Sequence, residues 1–217
     1  MRKLLLGILI GGFFLSVNAQ KVDFSIYADP QFSWFSSDLS TIKPNGSVLN
    51  IHTGLEMNYK FQENYAFSFG VGINNMGGEL LYIDSTFTIS KGDSIGIASN
   101  SNVKYKVQYI NIPIGLTLKT EEMGYLTFSF QVGFIPMFNI NANITSPEND
   151  YDKMDVKESV NLFNLNYYVG ANVQYRLGGN TALIGGVKWS SGFTDITKHD
   201  KANITVRNIA LHIGVLF

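Results

Sequence analysis

The chain contains no cysteine, which excludes disulfides, thiolate metal sites and a lipid-anchored cysteine. Charge is scarce too: Asp, Glu, Lys and Arg make up 15% of 217 residues, against ~25% in an ordinary soluble domain. The net charge of -1 leaves no basic footprint for nucleic acid. After the first residues no stretch approaches the ~20 continuous apolar residues of a membrane helix, so any later membrane crossing is not helical. Glycine and aromatics are plentiful, a composition suited to strands joined by tight turns.

Residues 1–19 read as a secretory signal. Arg2 and Lys3 give the positive start, Leu4 to Leu15 the apolar stretch, and Val17-Asn18-Ala19 the small residues at a cleavage site. The alternative, a membrane anchor, is disfavoured because the run is short. The mature chain is expected to begin at Gln20, with 20–217 as one domain.

Eight segments alternate apolar and polar residues with the period of two that marks strands: 24–35, 48–61, 65–73, 103–119, 125–140, 163–177, 181–193 and 204–217. In the first, Phe24, Ile26, Ala28, Pro30, Phe32 and Trp34 share one face, opposite Ser25, Tyr27, Asp29, Gln31 and Ser33. The strand charges Asp29, Glu56, Lys60, Lys119, Arg176 and Lys188 fall on the polar faces, and none is read on the apolar ones. That separation suits lipid, where an outward Arg or Lys costs ~2–4 kcal/mol at mid-membrane. Tight turns at 62–64, 120–124 and 178–180 alternate with long polar stretches at 36–47, 77–102, 141–159 and 194–203. The expected fold is all-β: an eight-stranded antiparallel up-and-down transmembrane β-barrel in the cell outer membrane, with N and C termini periplasmic. Tyr59, Phe61, Tyr65, Tyr175 and Phe217 are expected to ring the periplasmic interface; Trp34, Phe138, Phe163 and Trp189 ring the outer one.

Two features resist this pattern. In the fourth segment Val103, Tyr105, Val107 and Tyr109 are odd-numbered, whereas the apolar residues from Ile110 onward are even. A β-bulge near Tyr109 explains that, and so does a change of environment where the strand leaves the lipid. Pro30, Pro113 and Pro136 also lie inside strands, where each removes a ladder donor. A soluble barrel with its apolar face inward, carrying an apolar ligand, fits the same alternation. Its exterior would be Gly, Ser, Asn and Ala with few charges, a poor soluble surface.

The stretch Val107-Gln-Tyr-Ile-Asn-Ile-Pro-Ile-Gly-Leu-Thr-Leu-Lys119 resembles the "Y-x-E-I-P-L-x-L-K" strand of PorT-type outer-membrane barrel proteins, with Asn111 where that family usually has an acid. Gly54-Leu-Glu-Met-Asn-Tyr-Lys-Phe61 resembles the preceding strand of the same group, and the similarity spans the mature chain. In shape the chain is similar to OmpX and the OmpA membrane domain. The resemblance implies a structural or partner-binding barrel, an accessory of protein secretion or envelope assembly. The terminal Phe217 resembles the signal read by the barrel-assembly machinery.

Chemistry-bearing residues are few. Closure of the barrel would set the second and eighth strands beside the first, so His52, Asp29 and His212 are expected to approach one another in the lumen; His199 lies in a loop. Two histidines with no third ligand at fixed spacing fall short of a zinc site, so lumen packing is expected over proton transfer or metal binding. With Glu56, Lys60, Lys119, Arg176 and Lys188 these residues are read as a structural polar network filling the barrel. No catalytic, metal or cofactor residue is assigned. A lipid-modifying enzyme is the alternative class, but no serine has a distinctive context. Residues 77–102 are expected to project as a hairpin and bind an envelope protein by edge pairing. Outer-membrane lipid is the other expected partner, and nucleic acid is not. Asp84-Ser85-Thr86 and Asp93-Ser94-Ile95 resemble an Asp-Ser/Thr-apolar O-glycosylation sequon, and Asp150, Asp152 and Asp155 are a solvated acidic loop or a cation site.

Overall fold

The computed structural model describes residues 21–198 and 203–217. The expected signal, Gln20 and His199 lie outside the described residues. The strands are β1 (Val22–Ser37), β2 (Ile42–Gln62), β3 (Tyr65–Tyr82), β4 (Thr86–Ser90), β5 (Asp93–Ile97), β6 (Ser101–Asn111), β7 (Ile114–Lys119), β8 (Leu126–Ser146), β9 (Tyr151–Asp155), β10 (Phe163–Gly178), β11 (Thr181–Gly192) and β12 (Ile204–Leu216).

Antiparallel pairing runs β10-β11-β12-β1-β2-β3 and on through β6 and β7 to β8, which pairs with β10 and closes the ring. β6 and β7 keep one register against β3 (Gly72↔Asn111, Phe69↔Ile114), so they form a single wall and the barrel has eight. Closure leaves the ring itself no free edge, as lipid requires of a spanning sheet. The first and last described strands meet at the end with the tight turns, the periplasmic end, where Phe24 and Phe217 exchange backbone hydrogen bonds (3.1 and 2.8 Å).

The apolar phase faces outward along the lower walls. Phe24, Ile26 and Phe32 on β1 are exposed while Ser25, Tyr27, Asp29, Gln31 and Ser33 are buried. This is the reverse of a soluble carrier barrel, which turns its apolar face inward. Arg207 corrects one expectation, because it shares the outward phase of Ile209 and Leu211. It sits one rung beyond Ile209 with Trp34 as its β1 partner, at the interface where a guanidinium reaches headgroups.

Several strands run well past the expected limits. β2 begins at Ile42, β3 continues to Tyr82 and β8 to Ser146, so much of what reads as polar loop is barrel wall. Above the belt the interior inverts. Phe35, Met76, Leu80, Val103, Met137 and Ile144 fill it as a conventional apolar core. The irregularity in the fourth segment is therefore a change of environment: odd residues from Val103 through Asn111 to Thr117 all point inward without a flip. The bulge lies on the partner strand. Gln108 pairs Asn141 and Tyr109 pairs Asn139, which leaves Ile140 extra, and beyond it the inward residues of β8 switch from odd to even.

The prolines also find reasons. Between Tyr27↔Gly214 and Gln31↔Ala210 the β1–β12 ladder has no pairs, and the carboxylate of Asp29 accepts the Ile213 N–H (3.3 Å) where Pro30 interrupts it. Pro113 and Pro136 share one interruption. Ile112 N–H donates to Pro136 O (2.9 Å), Pro136 has no N–H to return, and the break between β6 and β7 falls there.

Candidate functional site

The middle of the lumen is a polar cluster with Asp29 at its centre. Its carboxylate accepts His212 Nδ1–H (2.8 and 3.0 Å) and faces His52 Nδ1 at 3.8 Å. His52 Nε2 accepts from Asn111 Nδ2 (2.9 Å) and lies 3.0 Å from Tyr27 Oη. β1 delivers Asp29 and Tyr27, β2 His52, β12 His212 and β6 Asn111, so four walls meet here. The two histidines and Asp29 do come together, as closure demands. Asn111 thus lies against His52.

A second centre lies two inward positions further along β2, toward the periplasmic end. Glu56 accepts from Gln131 Nε2 (2.8 Å) and Asn58 Nδ2 (3.1 Å) and pairs with Lys188 Nζ at 3.6 Å. Lys188 Nζ also stands 5.2 Å from the Tyr27 ring centroid, a cation–π contact. Asn58, Ser68, Thr117 and Gln131 hydrogen-bond one another beside it. The cavity among these groups, bounded by Tyr27, Asp29, His52, Glu56, Tyr168 and Lys188, is about 30 Å³, room for a water or two. The amides Gln131, Asn58 and Asn208 read only as part of a polar face, because every second residue is inward but nothing local says which amides meet, and Asn74 lies just past the expected third strand.

Two tyrosines pin this interior to the walls. Gly54 and Gly72 are cross-strand partners, and a Cβ on them would lie 2.5 and 3.0 Å from Tyr27 Oη. Gly115 and Gly133 are likewise partners and underlie Tyr168.

The expected single network is in fact divided. Lys60 and Lys119 sit at the periplasmic mouth, both bound to Asp23 (2.7 and 2.9 Å), a partner that lies just before the first residue of the expected strand. Arg176 is a correction: its side chain is 54% exposed and pairs Glu122 of the neighbouring turn at 2.5 Å. It belongs to the rim of a charged vestibule of about 340 Å³, not to the buried lumen.

Aromatic girdles flank the belt. Tyr59, Tyr65, Tyr175 and Phe217 are exposed at the periplasmic level. At the outer level Trp189 stacks edge-on against Tyr167 (5.4 Å), which meets Phe193 (4.7 Å), and Trp34 is half-buried. Tyr167 and Phe193 thus join the expected members of this ring.

The outer mouth is closed. β4 and β5 form a hairpin over it through a two-residue turn, Lys91-Gly92, with φ of 50° and 87° that fits type I′. Ile97 plugs the core beneath. Ser159 Oγ receives Ile89 N–H (2.7 Å) and donates to Ile89 O (3.0 Å), while Tyr151 Oη donates to Gly96 O (2.6 Å). Those backbone groups point from the hairpin's outer edges, so neither edge offers the unbroken row that strand addition needs. Ser85 and Ser94 are exposed on this element. Asp155 Oδ1 accepts Lys157 N–H (3.0 Å), and among the described residues no three acidic or histidine side chains converge on a metal-sized site.

A closed eight-walled barrel with an outward apolar belt, a polar lumen and two aromatic girdles defines an integral outer-membrane β-barrel. Residues 9–201 match the family profile of the outer membrane protein beta-barrel domain, and the chain belongs to that family. One solved structure shows the same fold, and two further barrels stand beside it. The outer membrane protein OprG of Pseudomonas aeruginosa superposes with TM-score 0.50 at 10% identity, covering 91% of this chain and 96% of that one. Neisserial surface protein A gives 0.49 at 14%, covering 89% and 95%. Ail, the attachment invasion locus protein of Yersinia pestis, gives 0.43 at 13%, covering 91% and 99%. No curated protein sequence matches the chain significantly.

Proposed function

We propose that this chain is a sealed barrel that works by binding a partner, as an accessory of protein secretion or envelope assembly of the kind the PorT resemblance implies. One observation carries the reading: two different fillings are stacked in the same barrel. The polar lumen leaves about 30 Å³ among its side chains. The apolar core above it includes Tyr109, Met137 and Ile144, all fully buried. Solute transport has no path through either.

The surface left to meet a partner is the outer cap. Phe87 on β4 is 59% exposed there, a large apolar side chain held on a hairpin that Ser159 fixes in place. Recognition then works through side chains of residues 77–102 rather than by strand addition. Catalysis is no part of this reading, because Asp29 and His212 are 0% and 2% exposed and no lipid reaches them.

Replacing Phe87 with a photo-crosslinking residue in intact cells tests this. The expected result is one dominant adduct with an envelope protein. Adducts no different in pattern from those formed at Lys153, on the third outer connection, would remove the hairpin from the role.

A further inference from the structure

The strand register fixes where the lipid belt ends. Ile73, Ile110, Phe138 and Phe163 are successive cross-strand partners on β3, β6, β8 and β10, and together they make the last apolar rung. The next rung outward reads Asn75, Gln108, Asn141, and the one after it Gly77, Lys106, Asn143. Hydrocarbon therefore gives way to a row of primary amides within one step along the strands.

These amides are held on walls, not on loops. Gln108 Nε2 donates to Asn75 Oδ1 (2.8 Å), and Asn75 Nδ2 donates to Ile51 O (3.0 Å). Asn143 Nδ2 donates to Asn141 Oδ1 (3.4 Å). The row has depth because β2 and β3 part here: no ladder pairs form between Gly46↔Glu79 and His52↔Asn74. An outer groove of about 340 Å³ results, lined by these amides, Asn50 and Lys106 together with Ile51, Met76 and Val107. Lys104, one rung further out, is held by Glu79 at 3.2 Å. Lys106 is exposed, and among the described residues no carboxylate lies within ion-pairing distance of it.

The ligand follows from the chemistry and the depth. Primary amides offer a donor and an acceptor side by side, which suits sugar hydroxyls. An unpaired ammonium calls for an anionic group such as phosphate. The apolar rung directly below calls for acyl chains on the same molecule. A zwitterionic phospholipid has no sugar hydroxyls and brings an ammonium of its own.

We propose that the ledge formed by Asn75, Gln108 and Asn141 with Lys106 binds the phosphorylated sugar headgroup of an outer-leaflet glycolipid, whose acyl chains lie along Ile73, Ile110 and Phe138.

Native mass spectrometry of the folded chain in detergent tests this, with purified lipooligosaccharide as probe and phosphatidylethanolamine as competitor. Lipooligosaccharide adducts should survive the competitor. The double variant Lys106→Ala with Asn141→Ala should lower the bound fraction on the order of tenfold, the scale of one charge-assisted hydrogen bond. Lys91→Ala on the hairpin turn should leave it unchanged. Equal binding by the double variant, or equal retention of phosphatidylethanolamine, would overturn the assignment. Dephosphorylated lipooligosaccharide tests the wild-type chain without any variant: it should bind more weakly, and undiminished binding refutes the role of Lys106. The free oligosaccharide, stripped of acyl chains, should compete poorly; competition as strong as that of the intact glycolipid would refute a lipid ligand.

Discussion

Removing Lys188 probes the energetics of the lumen most directly. Its Nζ is 3.6 Å from Glu56, and the two side chains are 14% and 5% exposed. In Lys188→Met the stem packing survives and the charge does not. Glu56 is then a buried carboxylate with only the amides of Gln131 and Asn58 as donors. Breaking a buried pair from one side costs ~3–5 kcal/mol. The two remaining amide donors, and a cavity that admits water, argue for the lower end. About 3 kcal/mol is expected, a factor of more than ~100 in the unfolding constant. Adding Glu56→Gln removes the stranded charge, and the double variant should return to within about 1 kcal/mol of the parent. Urea unfolding in detergent micelles, followed by the fluorescence of Trp34 and Trp189, gives all four corners of the cycle. A loss below about 1 kcal/mol for Lys188→Met, or a double variant as damaged as the sum of the singles, would refute the reasoning.

Reconstituted into planar bilayers, the chain should show no porin-sized conductance; a stable large single-channel current would contradict the stacked polar and apolar fillings. Gly133→Ala drives a Cβ into Ile114 O and to 2.9 Å from the Tyr168 ring, and should lower stability by ~1–3 kcal/mol, read as a lower midpoint on a heat-modifiable gel. Ser159→Ala releases Ile89 N–H and O and should make the β4–β5 hairpin the first site of limited proteolysis in folded protein, whereas an unchanged cleavage pattern would show that the apolar plug at Ile97 suffices.

The strand walls and the side each residue faces follow from local patterning. Alternation is a local property: with a period of two, Phe24, Ile26 and Phe32 must share one side and Tyr27, Asp29 and Gln31 the other. The placement of tight turns determined which end holds the termini. What alternation does not carry is the environment on either side. Val103, Tyr105, Val107 and Tyr109 keep the same inward phase as Asn111 and Thr117, yet they line an apolar core because the wall has risen above the lipid there. That inversion exists only where β1, β2, β3, β6, β8, β10 and β12 converge on one apolar core beneath the hairpin.

The candidate site divides in the same way. His212 and Asp29 meet because closure of β12 on β1 brings together residues far apart in sequence, a contact anticipated from topology alone. The split of the charges was not anticipated. Whether Arg176 turns into the lumen or out to Glu122, and whether Lys60 finds Asp23 or Glu56, depends on its height along the barrel. Strand stagger sets that height, and stagger is a property of the closed ring. The amide ledge depends on it too. Asn75, Gln108 and Asn141 are ordinary polar residues in the sequence, and only the register of three walls places them in one row at the edge of the lipid.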